Sequence, residues 1–358
     1  MQKKLIALAV ASLVSGAAFA QVAPNNVTLY GIVDMGYQYN WDNVSSNTKN
    51  KSEVKSGGLD GSRVGVKGEE DLGNGLKAFF DATWSFASDY NSTPTMGEGS
   101  SVGLEGNFGK VRAGYFGNFL DDNTGVDASG RHGMINTGSL YGTGKYENFV
   151  AYYSPVFSGL QVKAGFSSNV NQLTGLAQDV TPISGLTITN VRAYTAAVSY
   201  ANGPISAGVA YAAYRPQTAA NVAAANEIGS SSDVNYGIKY DFGVAAVSLF
   251  GARVKSGQNF INNGTNGNAL NKNTFWALGV AAPIGANDTI KAGYGQNKLS
   301  GNGLNTLKGA AWDVVYLHSL SKRSTVYAMY GNLGGSDDGY LAAGTYQQAF
   351  NVGLRHTF

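Results

Sequence analysis

The sequence has 358 residues, with 49 Gly, 7 Pro and no Cys, and only 13% of its residues are charged, about half the fraction usual in a soluble domain. The apolar fraction of 43%, with 21 Tyr and 16 Phe, excludes a disordered chain because it supplies ample surface to bury. A sequence without cysteine has no disulfide scaffold, no thiolate metal site and no cysteine nucleophile.

The first segment, residues 1–20, has the pattern of a secretory signal peptide. Two lysines at 3–4 precede an apolar stretch at 5–14, and the segment ends in a small-x-small site at Ala20. A membrane anchor is the weaker interpretation, because the apolar stretch is too short to span a bilayer. We predict export and cleavage between Ala20 and Gln21.

The mature chain, residues 21–358, is predicted to be a single domain of balanced charge. Cleavage removes two lysines, so 25 − 2 = 23 basic residues remain against 23 acidic ones. This balance gives no support for a nucleic-acid partner. Past residue 20 the sequence contains no apolar window long enough for a transmembrane helix.

Many segments of the mature chain alternate between apolar and polar residues with the period of a β-strand. In 233–242 every second residue is apolar, and the residues between them are Asp, Asn, Gly and Lys. Segments 76–86 and 160–167 follow the same pattern. A helix would place its apolar residues three and four apart, so these segments are predicted to be strands with one dry and one wet face.

Sixteen such segments follow one another, and short turns alternate strictly with long loops between them. Outer-membrane barrels show this arrangement, with turns at one rim and loops at the other. We therefore predict an all-β fold, a 16-stranded antiparallel transmembrane β-barrel. The predicted strands are 27–40, 60–70, 76–88, 99–107, 110–118, 147–155, 160–168, 190–201, 204–214, 232–242, 244–255, 273–283, 288–298, 310–320, 324–334 and 347–358.

A barrel of this size is predicted to hold an aqueous channel. Backbone groups in hydrocarbon must pair within the protein, so the sheet has to close on itself. Sixteen strands then enclose a lumen too wide for side chains to fill, in agreement with the polar composition of the wet faces. The strands at 244–255 and 324–334 alternate poorly and are the weakest of the set.

Five segments carry a resemblance to a known family. VTLYGIVD at 27–34 resembles the first strand of the trimeric general porins of Gram-negative outer membranes, and SRVGVKGEEDLGNGLKA at 62–78 is similar to their second and third strands. VGLEGNFGKVR at 102–112, YSPVFSGL at 153–160 and NVGLRHTF at 351–358 resemble a hairpin, a turn and the C-terminal strand of the same family. The resemblance covers the mature chain and is greatest to the porins of β-proteobacteria.

The resemblance implies a pore constriction formed by the third long loop, which folds into the barrel in this family. The corresponding loop, 119–146, is the longest of the chain and carries Asp121, Asp122 and Asp127. We expect these aspartates on the acidic side of the pore. A connection of this length is usually functional or disordered, and an ordinary surface loop is the alternative.

On the basic side, the resemblance matches Arg63 to a wall arginine of the family and places Lys145 at the position of another. Tyr115 stands where the family usually has Arg, which weakens any inference of strong anion preference. Arg112 and Lys67 lie on wet faces. They either compensate for Tyr115 or are solvated lumen charges away from the constriction.

The implied function is that of an outer-membrane general diffusion porin, a water-filled channel for passive passage of ions and small hydrophilic solutes. A substrate-specific channel is the main alternative, and an adhesin or a hydrolase barrel with His132 near Asp127 is a lesser one. We expect no enzymatic activity, no cofactor and no metal, since the three histidines are scattered.

The resemblance also implies partners, namely the lipid bilayer of a Gram-negative outer membrane, two further copies in a homotrimer, and the barrel-assembly machinery. Phe358 follows Val352, Leu354 and His356 on one face and resembles the C-terminal signal that this machinery reads. The alternative is that Phe358 is only a lipid-facing residue of the aromatic girdle.

Overall fold

The fold is described by a computed structural model for residues 26–43, 50–129, 144–170, 191–216, 229–257, 261–262, 269–302, 305–335 and 346–358. The predicted signal peptide and its cleavage site at Ala20 and Gln21 lie outside these residues. Eighteen strand segments occur in the described ranges. They are β1 (Asn26–Asn43), β2 (Lys51–Ser56), β3 (Arg63–Gly73), β4 (Leu76–Ser85), β5 (Thr95–Gly106), β6 (Gly109–Gly117), β7 (Lys145–Tyr153), β8 (Leu160–Ser167), β9 (Val191–Asn202), β10 (Ile205–Pro216), β11 (Gly229–Asp241), β12 (Ala246–Gly257), β13 (Ile261–Asn262), β14 (Ala269–Pro283), β15 (Asp288–Asn302), β16 (Leu307–Ser319), β17 (Ser324–Gly335) and β18 (Tyr346–Thr357).

The strands pair antiparallel in a closed ring. The last strand, β18, returns to pair with β1, with Ile32 opposite Thr357. Two positions in the ring are each shared by two segments, because β2 and β3 both pair with β1, and β12 and β13 both pair with β14. The ring therefore has 18 − 2 = 16 positions, and the predicted 16-stranded antiparallel barrel is confirmed.

The predicted strand ends lie close to the observed ones. The largest differences are at the predicted starts 99 and 273, where the strands begin at Thr95 and Ala269, and at the predicted end 298, where the strand ends at Asn302. Two strand segments lie where the sequence predicts loops. Residues 51–56, between the predicted strands 27–40 and 60–70, form β2, and residues 261–262, between 244–255 and 273–283, form β13. The sequence KSEVKS has charged or polar side chains on both faces, so the alternation of a half-buried strand is missing.

Each strand divides its side chains between an outer and an inner face. On β11, Tyr236 and Ile238 point outward and are 55% and 51% exposed, whereas Asn235, which precedes Tyr236, is fully buried inside the barrel. On β1 the outward residues Val27 and Leu29 are likewise more than half exposed. The outer surface is the apolar band that a hydrocarbon environment requires.

Two segments of chain fold onto the inner wall and create apolar packing inside the barrel. We call residues 118–129 the long-loop insert and residues 57–62 the short insert. The long-loop insert covers Phe250 of β12, and the short insert covers Tyr327 of β17. Parts of β12 and β17 are thus apolar on both faces, which explains why their sequences alternate poorly.

The long-loop insert begins with the helix α1 (Phe119–Asn123), which has five residues. A single 3₁₀ turn at Thr124–Val126 follows directly. In the ranges described above, no helix is long and apolar enough to cross a membrane.

Candidate functional site

The long-loop insert is held in a defined position by its own sequence. Asn118 caps α1, since its side-chain Oδ1 accepts hydrogen bonds from the backbone N–H of Leu120 at 2.8 Å and of Asp121 at 3.2 Å. Phe119 and Leu120 follow and are fully buried against the inner wall. The ring of Phe119 lies 6.0 Å from that of Phe149 on β7. This start of the loop is therefore folded inside the barrel by apolar packing.

Polar contacts fix the insert to the opposite part of the wall. Asn235 of β11 donates a hydrogen bond to the carbonyl of Leu120 at 2.8 Å and accepts one from the Asn123 side chain at 2.9 Å. The Ser248 hydroxyl of β12 accepts a hydrogen bond from the backbone N–H of Ala128 at 2.7 Å. Buried polar groups are costly unless they are paired, so these contacts determine where the insert lies.

The wall beneath the insert is made of glycine where the two approach most closely. A Cβ added to Gly208 would come within 3.0 Å of the Asn123 amide carbon, and one added to Gly237 would lie 2.3 Å from Val126. At Gly279 an added Cβ would lie 2.5 Å from the Asp127 carboxylate. Side chains at these positions would push the insert toward the centre of the lumen.

The short insert is anchored by a single buried carboxylate on β1. The Asp34 side chain accepts hydrogen bonds from the backbone N–H of Leu59 at 2.9 Å and of Asp60 at 2.6 Å. Its other oxygen accepts a 2.6 Å bond from the Tyr327 hydroxyl. Asp34 is fully buried, and these bonds satisfy both of its oxygens.

Arg63 lies on the inner face of β3, opposite Ile32 and Ser85. Its guanidinium contacts the Asp60 carboxylate of the short insert at 2.9 Å. The same carboxylate is 3.1 Å from Arg355 on β18. The predicted wall arginine is therefore part of a cluster of two arginines around one aspartate.

Arg112 and Lys67 lie on the inner faces of β6 and β3. They line one cavity of about 430 Å³, together with Asp81. Arg112 donates a 2.6 Å hydrogen bond to Ser101, lies 3.9 Å from the Asp81 carboxylate, and stacks 4.1 Å from the centre of the Phe116 ring.

Lys145 begins β7 and pairs with Glu98 of β5 at 3.4 Å. Tyr115 pairs across the sheet with Ser100. It alternates with the inward residues Arg112 and Phe116, so it lies on the outer face of β6.

The three aspartates of the long-loop insert have different surroundings. Asp122 forms an ion pair with Lys163 of β8 at 3.0 Å. Asp121 lies in the first turn of α1 and is partly buried. Asp127 is buried and accepts hydrogen bonds from the backbone N–H and the hydroxyl of Ser129, at 3.0 Å and 2.8 Å.

The ionisation of Asp127 is affected by this position. Burial raises the pKa of the Asp127 carboxyl above its ordinary value, while hydrogen bonds from Ser129 and Ser248 act in the opposite direction. The second oxygen, Oδ2, is buried and has no hydrogen-bond partner among the residues that the structure describes. Asp127 thus anchors the insert rather than presenting a solvated charge.

The structure places Arg63, Arg112 and Lys67 on the inner wall, and it gives the predicted residues partners that the sequence did not indicate. Arg63 pairs with Asp60 and Lys145 with Glu98, so neither makes an ion pair with the described part of the long loop. Arg355 was missed, although its alternation with the outward residue Leu354 marks it as an inward residue. Asp60 had no comparable signal, because it lies between two strands.

Two further residues singled out in the sequence are His132 and Phe358. His132, which suggested a hydrolase, lies outside the described residues. Phe358 ends the barrel, and its backbone exchanges two hydrogen bonds of 3.1 Å with Gly31 on β1. Its ring is 43% exposed on the outer face, as expected for a girdle residue and for a C-terminal signal alike.

The comparisons with known proteins agree with this architecture. The sequence profile of the Gram-negative porin family matches residues 7–338. An outer membrane porin protein of Bordetella pertussis is 30% identical over 406 residues, with 100% of both chains covered.

Solved structures resemble the barrel at lower sequence identity. The anion-selective porin from Comamonas acidovorans superposes with a TM-score of 0.71 at 24% identity, over 93% of this chain and 100% of that one. The trimer form of OmpT, an outer membrane protein of Vibrio cholerae, gives a TM-score of 0.67 at 15% identity, over 94% and 100%. At these identities the likeness concerns the fold.

Proposed function

Because this chain belongs to the Gram-negative porin family, we propose that it is a general diffusion porin that passes ions and small hydrophilic solutes without binding them. It is an outer-membrane protein with the closed barrel of that family. The observation that carries the proposal is the lumen itself, whose wall bears partly exposed charged side chains such as Arg63 and Arg112. Charged side chains around a pore bias permeation by sign and leave passage passive.

We assign the constriction to the residues predicted from the sequence. Arg63, Lys145, Arg112 and Lys67 form its basic side. Asp121 and Asp122 of the long-loop insert form its acidic side, and the buried Asp127 anchors the insert behind them. The support is that the insert lies against the inner wall through Asn235 and Ser248, which reduces the free cross-section. Because most of these charges have partners, each contributes a modest local potential.

Liposome swelling tests the channel function directly. Vesicles that contain the protein should swell in sugars of increasing size at rates that fall smoothly with solute radius, whatever the sugar's stereochemistry. A substrate-specific channel would instead admit one sugar or one anion far faster than others of equal size. An adhesin or a hydrolase without a pore would give no swelling.

A preference for anions is a second candidate, favoured by a specific arrangement of lumen cations. Lys67 lies 5.3 Å from the centre of the Tyr30 ring, and Lys110 lies 4.5 Å from that of Phe79. Aromatic rings hold cations in place without neutralising them. A porin of Comamonas is described as anion-selective. A reversal potential in a salt gradient whose sign shows that anions permeate better than cations would support this candidate. A reversal potential near zero would contradict it.

We further propose that the protein is a homotrimer, as OmpT of Vibrio cholerae is in its trimer form. Exposed apolar side chains cover the outer face and suit either lipid or a neighbouring barrel. Light scattering with the detergent mass subtracted should give the mass of a trimer, and a monodisperse monomer would contradict the proposal. No catalytic role is proposed.

A further inference from the structure

The short insert places one negative charge between two positive charges on the inner wall. Asp60 Oδ1 is 2.9 Å from Arg63, and Asp60 Oδ2 is 3.1 Å from Arg355. The three side chains are 27%, 26% and 25% exposed, in the same order. Ions in the lumen therefore meet all three groups as one cluster.

The contacts that hold the insert do not depend on the Asp60 carboxylate. Its backbone N–H donates to Asp34, and the neighbouring Leu59 packs against Tyr327 and Met329. Ser62 adds a 3.1 Å hydrogen bond from the Asp34 backbone N–H. The position of the insert is thus fixed by other groups. Among the residues that the structure describes, the Asp60 side chain pairs with the two arginines and leaves their charge partly compensated.

We propose that Asp60 is a selectivity-determining residue that lowers the net charge of the basic wall from two positive charges to one. Arg355 then contributes to ion selectivity in the same way as Arg63, since each adds one positive charge beside Asp60. This inference rests on the proposed channel function. It adds the group that sets the preference of the channel for anions or cations. A carboxylate tethered between two guanidinium groups also occupies the position that the carboxylate of a permeating anion would take.

The net charge of the cluster predicts how the wild type and three variants rank in their anion-to-cation permeability ratio. The wild type carries one net positive charge, Asp60→Asn carries two, and Arg355→Gln carries none. The double variant Asp60→Asn/Arg355→Gln carries one again. Because a change of about one kT in local potential alters an ion's occupancy roughly threefold, we expect the anion-to-cation permeability ratio to rise about that much in Asp60→Asn and to fall similarly in Arg355→Gln.

The test is the reversal potential of single channels in planar bilayers under a salt gradient at low ionic strength, where screening is weak. The double variant should return to the wild-type value, which a purely structural role of the cluster would not produce. Asp60→Glu should keep the wild-type value because it keeps the charge. Asp241→Asn removes the same charge at an exposed turn, where the Asn oxygen still accepts from Gly243, and should leave selectivity unchanged.

Several outcomes would overturn the inference. It fails if Asp60→Asn conducts with the wild-type reversal potential, or if it shifts no more than Asp241→Asn. If Asp60→Asn does not insert, Arg355→Gln carries the test alone, and an unchanged reversal potential there counts against it. A wild-type protein that gives no current in the bilayer would instead refute the proposed channel function.

Discussion

The ring of Phe358 fills the space beside Gly31 in which a side chain would otherwise stand. A Cβ added to Gly31 would lie 2.4 Å from the Phe358 ring and 2.6 Å from the carbonyl oxygen of Arg63. The backbones of Gly31 and Phe358 also exchange two hydrogen bonds. The first strand and the last residue of the chain are therefore fitted to each other where the barrel closes.

We predict that Gly31→Val destabilises the closed barrel. The added side chain overpacks the contact between β1 and the C-terminus, which costs about 1–3 kcal/mol. The measurement is the temperature at which the compact form of the unheated protein in SDS converts to the unfolded form. Gly334→Val is the matched control, because a Cβ there meets its nearest atoms at 3.5 Å and 3.8 Å. Equal melting of both variants would contradict the role of the contact.

Deletion of Phe358 should reduce insertion into the outer membrane of cells more than it reduces refolding in detergent. The C-terminal signal is read only in cells, whereas the ring contact with Gly31 acts in both settings. We expect a modest loss of melting temperature in detergent and a large loss of membrane-inserted protein. Equal losses in the two settings would indicate that Phe358 acts only as a girdle and closing residue.

Removing the predicted basic charges should shift the reversal potential toward cations. Arg63→Ala with Lys145→Ala takes two positive charges from the lumen, and neutralising Asp121 and Asp122 should shift it toward anions. Both effects should grow at low salt, because the Debye length is about 30 Å at 0.01 M and about 3 Å at 1 M. Shifts that do not depend on salt would argue against an electrostatic origin.

Asn235→Ala should loosen the long-loop insert. The substitution leaves the carbonyl of Leu120 and the side chain of Asn123 without their partner, at a cost of about 1–3 kcal/mol. We expect noisier single-channel currents and a higher mean conductance, and removal of 120–128 should raise the conductance further. Asn202→Ala, at an exposed position beside a turn, is the control. Conductance that is unaffected by the deletion would show that the insert does not narrow the pore.

The stability of the protein should depend on pH through Asp127. Its raised pKa means that the ionised carboxylate is less favourable in the folded than in the unfolded protein. Ionisation therefore destabilises the fold above the ordinary pKa of 3.8, and this cost disappears as pH falls through the raised pKa. Asp127→Asn should be at least as stable as the wild type near neutral pH, and the two melting temperatures should converge on acidification. A constant difference would contradict this.

The fold was predictable because strand alternation in a barrel is a local signal. Segment 233–242 shows it fully, since its outward residues meet an apolar environment and its inward residues are polar. The signal fails in β12, where Phe250 faces inward but is covered by the long-loop insert. It also fails in β2, where five of the six residues, all but Val54, are charged or polar. The alternation of apolar and polar residues depends on what each face of a strand contacts. An insert that covers the inner face makes that face apolar, so the alternation is lost although the strand still forms.

The candidate site was predictable only in part. Matching strands to the family singled out Arg63 and Lys145, and alternation placed Arg112 on the inner face of its strand. The partners Asp60 and Glu98 were not identified, because they come from segments whose position depends on distant contacts. Asp60 is placed by Asp34 and thereby by Tyr327, and no local pattern in the sequence encodes that relationship.

The contact between Asp34 and Tyr327 joins positions 293 residues apart, and this separation has a consequence for the order of assembly. The long-loop insert is bonded to β11 and β12 across separations of 112 and 120 residues, so it can take its place before β17 has been synthesised. The short insert needs β17 and β18, which are the last strands to be synthesised. Contacts between distant parts of a chain form late when loop closure is costly. The counter-charge on the basic wall is therefore added in the final step, and a barrel arrested before closure would lack it.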